Sequence, residues 1–134
     1  MTIEEKIRRF LDQPAFGVVG ASTRPHKYGN KVLRCYLQND RRVIPVNPVA
    51  ETIEGQACVA SVAQLPPEVK SISVITPPEV TRTVVEMAIT RGIEHIWMQP
   101  GAEDPEAVRN AEQAGINVIA NGSCLLVVLG YHEH

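Results

Sequence analysis

The sequence predicts an α/β fold: a doubly wound, mostly parallel sheet with helices on both faces. Two observations carry that prediction. Short apolar runs alternate with amphipathic segments along the whole chain. The runs also lack the strict in–out alternation of a sheet with one wet face, as strands buried on both faces do.

The elements follow in order. Thr2 caps the first helix and Glu5, three residues on, completes a capping box. Ile3, Ile7, Phe10 and Leu11 share its apolar face, and Pro14 ends it. Residues 15–19 read as the first buried strand. A helix over 29–39 buries Val32, Leu33, Tyr36 and Leu37. Residues 42–46 are the second strand, stopped by Asn47 and Pro48. Residues 56–60 suit a short edge strand, followed by a short helix capped by Ser61. Residues 71–75 form a further strand. Thr76, Pro77, Pro78 and Glu79 open the next helix, with threonine as cap and proline in the first turn. Val80, Val84, Met87 and Ala88 are its expected buried face, and Gly92 its stop. Residues 94–98 and 117–120 are strands flanking a helix that starts at Asp104 or Pro105. The apolar run 125–129 fits strand or helix.

Right-handed crossovers turn this order into a Rossmann-like sheet, read here as one domain over residues 1–134. Such sheets bind ligands beyond the carboxyl ends of their strands. The loops starting at Gly20, Asn47, Thr76, Gln99 and Asn121 therefore delimit the expected cleft.

The bulk composition excludes several classes. A net charge of −2 gives no electrostatic footprint for nucleic acid, and 4% aromatics leave no stacking platform for single strands. Three cysteines, with no C-x-x-C pair, argue against a disulfide framework and suit a reducing cytoplasm. The charged start is no signal peptide, and no apolar run approaches a membrane span. His132 and His134 fall in a tail expected to fray, and His95 begins a strand far from the cleft, so no metal site is expected. No catalytic triad, nucleophile–base pair or converging carboxylate pair can be assigned.

The stretch GVVGASTRPHKYG, from Gly17 to Gly29, carries the strongest local signal. Gly20 permits a tight turn after the first strand, Ala21 and Ser22 keep the approach open, and Arg24, His26 and Lys27 add positive charge. Phosphate fits this loop. A nicotinamide dinucleotide fits it less well: Ser22 stands where G-x-G-x-x-G wants its second glycine, and Gly29 comes too late for the third. The second strand ends in Val46, Asn47 and Pro48, without the acid that would bind a ribose. Pro77 and Pro78 lack N–H groups, so that helix start offers an apolar rim. Gln99 could bond an amide or a ribose, and Gly101 gives a turn beside it. Cys124 is a small residue that could also be a thiol near the ligand.

Taken together, these motifs resemble the stand-alone CoA-binding protein family, itself similar to the CoA-binding domain of the succinyl-CoA synthetase alpha subunit. The match runs through VVGAS (Val18 to Ser22), Lys27 with Gly29, VIPVNP (Val43 to Pro48), IEG (Ile53 to Gly55) and the Ser61 to Pro66 stretch. It continues through TPPE, WMQPGA (Trp97 to Ala102) and AGINVI (Ala114 to Ile119). The resemblance implies coenzyme A, or an acyl-CoA, bound across the strand ends. Gly20, Ala21, Ser22 and Lys27 would hold phosphate, and Val46, Asn47 and Pro48 would lie beside the adenosine. Thr76, Pro77 and Pro78 would line the path of adenine or pantetheine, with Gln99, Pro100 and Gly101 near it. The family ends its last strand in Asp/Asn-x-Cys, whereas two residues separate Asn121 from Cys124 here. Ligase activity is not implied, because no counterpart of the phosphohistidine domain is present.

The expected function is a CoA-binding protein without catalytic residues of its own, acting as sensor, carrier or regulatory partner. No membrane or nucleic-acid partner is expected; a protein partner or a homo-oligomer stays open. The alternatives are an NAD(P)-linked oxidoreductase or other nucleotide-binding domain, and an interaction protein without a ligand.

Overall fold

Five of the short apolar runs become strands because both of their faces are covered. The computed structural model describes residues 1–133; His134, expected in the tail, lies outside them. The main sheet has five parallel strands in the order β2-β1-β5-β6-β7. They are β1 (Phe16–Val19), β2 (Val43–Val46), β5 (Ser71–Val74), β6 (His95–Met98) and β7 (Asn117–Ile119). Every residue of β1, β5 and β6 is buried. The prediction of a parallel, doubly wound α/β sheet is met.

Two apolar layers sandwich the sheet. Helices α3 (Pro78–Arg91) and α4 (Pro105–Gln113) bury Val84, Val85, Ala88, Ala107 and Ala111 against one face. Helices α1 (Ile3–Leu11) and α2 (Tyr28–Gln38) bury Phe10, Val32, Leu33 and Tyr36 against the other. Fully burying a valine, leucine or phenylalanine contributes about 1.5–3 kcal/mol, so Val84, Val85, Phe10, Val32 and Leu33 dominate the packing while the alanines let the helices approach. Phe16 stacks on Tyr36 at 4.9 Å between ring centres. The Tyr36 hydroxyl, fully buried, pairs with Ser73 Oγ at 2.7 Å and ties α2 to the central strand.

The first helix starts as expected: Thr2 Oγ1 accepts from the Glu5 N–H at 3.2 Å. The start of α3 differs by one residue. A residue before proline is pushed out of the helical region, so Pro77, ahead of Pro78, stays extended at ψ 146° and becomes the cap position. Thr76 is freed from capping, and its Oγ1 pairs with Thr81 Oγ1 at 2.7 Å. Thr81 is therefore buried, and Val80, expected inside, is 42% exposed.

Residues 51–59 fold differently from a simple edge strand. β3 (Thr52–Ile53) and β4 (Gln56–Ala57) form a small antiparallel hairpin. Glu54 and Gly55 both have positive φ, 49° and 76°, as a two-residue primed turn requires. Only Val59 reaches the main sheet: its N–H donates to Pro45 O at 3.0 Å, and its carbonyl accepts from Asn47 N at 2.9 Å. Pro45 tolerates a strand position because its carbonyl, and hence its missing N–H, faces this edge. The Ser61 segment is a single 3-10 turn, Val62–Gln64, without a side-chain cap.

The run 125–129 becomes a π-helical turn, Leu126–Gly130, packed on α2. The tail beyond it is tied down at His132, contrary to the expected fraying. Its N–H donates to Gln38 Oε1 at 2.9 Å, and its carbonyl accepts from Gln38 Nε2 at 2.7 Å. No helix among the described residues is long and apolar enough to cross a membrane.

Candidate ligand cleft at the carboxyl edge of the sheet

The strand order reverses between β1 and β5, where neighbouring connections leave on opposite faces. A cleft opens at such a point. Gly20 is the residue that makes this one possible. It has φ 94°, and a Cβ there would lie 2.0 Å from the Ile75 carbonyl oxygen. That backbone is fixed, because the Ile75 N–H donates to Val19 O at 2.8 Å. Gly29 completes the close fit: a Cβ on it would meet Gly20 O at 2.1 Å. Gly29 thus lets α2 press against the loop. It does the packing work of a dinucleotide fingerprint's third glycine, although it comes later in the sequence.

The loop between them presents donors. Among the described residues, the N–H groups of Ala21, Ser22 and Thr23 have no hydrogen-bond partner. Ser22 Oγ accepts from Arg24 N at 3.1 Å, and Ser22 O accepts from Asn30 Nδ2 at 2.8 Å, which holds the loop's shape. Lys27 sits exposed at the cap of α2. Asn47 acts as a brace. Its Nδ2 donates to Ala21 O at 3.0 Å, and its Oδ1 accepts from Val49 N and Ala50 N at 2.9 and 2.8 Å.

Beside the loop opens a mainly apolar cavity of about 320 Å³, which Ser22, Thr23 and Lys27 do not line. Gly20, Ala21, Val46, Asn47, Pro48 and Thr76 all line it, together with Ser61, Val62 and Met87, which the sequence did not place in the cleft. Its size lies in the range of small-molecule pockets. Pro77 and Pro78 follow Thr76 on the exposed rim.

The β6 end is organised differently. Gln99 is fully buried rather than set in the cleft wall. Its Oε1 accepts from the Tyr28 hydroxyl at 3.0 Å and from Leu125 N at 2.9 Å. Its Nε2 has no partner among the described residues. The Tyr28 hydroxyl also lies 2.7 Å from Cys124 Sγ. An amide oxygen only accepts, so Tyr28's one proton goes to Gln99 and the Cys124 thiol donates to Tyr28. Burial, and then the Cys124 bond, push the Tyr28 hydroxyl well above its ordinary range, so it stays neutral. Cys35, on the same side, is pushed up to about 11 by burial. Pro100 and Gly101 are exposed, and the Gly101 N–H is taken by Glu103 Oε1 at 2.6 Å.

One acid near the loop escaped the sequence reading. The β3–β4 hairpin turns Glu54 back so that its Oε2 lies 3.3 Å from Asn30 Nδ2. The signal was the Glu54–Gly55 turn, which a two-residue hairpin would have placed. His95 stands at the opposite edge of the sheet, as expected. Among the described residues, no group of three potential metal ligands occurs.

The chain is similar to proteins of several sources. Among solved structures, a conserved hypothetical protein from Pyrococcus furiosus shares 40% identity with a TM-score of 0.81, covering 85% of this chain and 97% of that one. A hypothetical protein from Pyrococcus horikoshii OT3 shares 30% identity with a TM-score of 0.87, over 95% and 89%. The acetate–CoA ligase [ADP-forming] II subunit alpha of Pyrococcus furiosus is 27% identical over 121 residues. That match covers 82% of this chain and 26% of the subunit, so the chain spans about a quarter of that relative's length. With residues 15–129 matching the family's sequence profile, the chain belongs to the CoA binding domain family.

Proposed function

We propose that the chain binds coenzyme A, or an acyl-CoA, across the carboxyl edge of the sheet, and acts as a sensor, carrier or regulatory partner without catalytic residues of its own. The observation that carries this reading is the cavity between the Gly20 loop, the β2 end and Thr76. Adenosine occupies that cavity, flanked by Val46, Pro48 and Thr76. The diphosphate takes the free N–H groups of Ala21, Ser22 and Thr23, with Lys27 supplying charge from the rim. The pantetheine arm passes Pro77 and Pro78 toward Pro100 and Gly101. Asn47 shapes the cleft, since its polar atoms are spent on the loop. Gln99 supports the β6 end from beneath through Tyr28 and Leu125.

Calorimetric titration with CoA, NAD and NADP tests the reading. CoA should bind, and the dinucleotides should bind far more weakly or not at all. Tight NAD binding with no response to CoA overturns it. Native mass spectrometry of freshly purified chain gives a second check, through a co-purified adduct of CoA mass.

A further inference from the structure

A second polar cluster sits at the amino-terminal edge of the sheet, away from the cleft. His95 opens β6 and is only 7% exposed. Asn117 opens β7 directly opposite it in register. The Asn117 Nδ2 donates to Lys6 O at 3.0 Å and lies 3.0 Å from His95 Nδ1. Lys6 O can only accept, which fixes the amide's orientation. The His95 Nδ1 therefore accepts the second amide hydrogen, and the neutral ring carries its proton on Nε2. Asn117 Oδ1 is left buried with no partner among the described residues. Lys6 Nζ closes the clasp on Val118 O at 3.2 Å. The Phe10 ring, also on α1, meets His95 and Trp97 edge-on at 6.5 and 5.4 Å.

We propose that His95 and Asn117 form a proton-operated latch for α1, closed when His95 is neutral and opened when it is protonated. A proton on Nδ1 would face the amide hydrogens of Asn117. Turning the amide over brings the unpartnered Oδ1 to the new Nδ1–H. The same turn removes Nδ2 from Lys6 O, so α1 loses its bond to Asn117 and keeps the weaker tie of Lys6 Nζ to Val118 O. Protons reach the ring through an adjoining cavity of about 380 Å³ edged by Met1, Arg9 and Glu94. The charged groups around His95 are Glu94 on its own strand side and Arg9 and Lys6 on α1. Burial holds His95 below the ordinary histidine range, Arg9 adds to that, and Glu94 pulls the other way. The neutral ring thus stabilises the closed state fully above the unfolded value of about 6.5. That contribution is lost as pH falls through the lower folded value.

Amide hydrogen exchange on the intact chain, corrected for intrinsic rates, tests the latch between about pH 7.5 and 5. Protection at Phe10 and Leu11 should fall tenfold or more relative to α4, and His95→Phe should abolish the fall. Asn117→Asp offers a carboxylate to the protonated ring, so NMR should find the His95 titration moved upward by a unit or more. Protection of α1 that tracks α4 at every pH overturns the proposal. So does an equal fall in His95→Phe, or a His95 titration unmoved by Asn117→Asp.

Discussion

Gly20 carries two constraints at once: a left-handed φ and a carbonyl 2.0 Å from where a Cβ would be. Gly20→Ala should therefore cost on the order of 3 kcal/mol or more in chemical denaturation, and a larger side chain there would disturb folding before it disturbed phosphate. Exposed charges test the ligand more cleanly. Lys27→Glu should weaken CoA binding severalfold in calorimetry and leave the melting temperature unchanged. Glu54→Gln should tighten CoA binding modestly by removing a like charge near the diphosphate. A dinucleotide site that used Glu54 on a ribose would weaken instead, so the sign of the change separates the two ligands. At this scale the sequence revealed the loop residues but not their partners. Gly29 looked misplaced by spacing, yet its missing Cβ is what lets α2 touch Gly20. Gln99 looked like a ligand contact because it ends a strand. Its burial depends on Tyr28 and Leu125, which are distant in the chain.

Helix starts were the most legible elements, because a cap is a local pattern. Asp104 shows it: its Oδ2 accepts from Ala107 N at 3.0 Å, and Arg82 grips the same carboxylate at 2.8 and 3.0 Å. The Arg82 bonds first, and then the Ala107 N–H, hold Asp104 below the usual carboxylate range. A depressed folded value means stability that is present above the unfolded value of about 3.9 and lost as pH falls through the folded one. Thermal melts from neutral to acid pH should show that loss, and Asp104→Asn should flatten the part below about pH 4. The α3 start was off by one residue because the effect of Pro78 on Pro77 competes with threonine's capping preference. The β3–β4 hairpin was missed for a different reason. Its strands are two residues each, too short for a periodicity to register.

At the scale of the whole molecule, alternation of buried runs and amphipathic helices was enough to give the sheet, and with it the carboxyl edge at which the cavity opens. Which side of the cleft forms the cavity was not legible, since Met87 and Val62 reach it only through the packing of α3 on the 3-10 turn. The same unit makes up about a quarter of an ADP-forming ligase subunit. A similar unit also makes up 97% of a Pyrococcus furiosus protein's chain, so units like this one occur both inside longer chains and nearly alone. CoA binding by this chain is the proposal on which the rest depends. Titration calorimetry of the chain with CoA, set beside NAD and NADP, tests it most directly. CoA should bind saturably and one to one, more weakly after Lys27→Glu, with NAD and NADP at least tenfold weaker. Saturable NAD binding with no heat from CoA would contradict it.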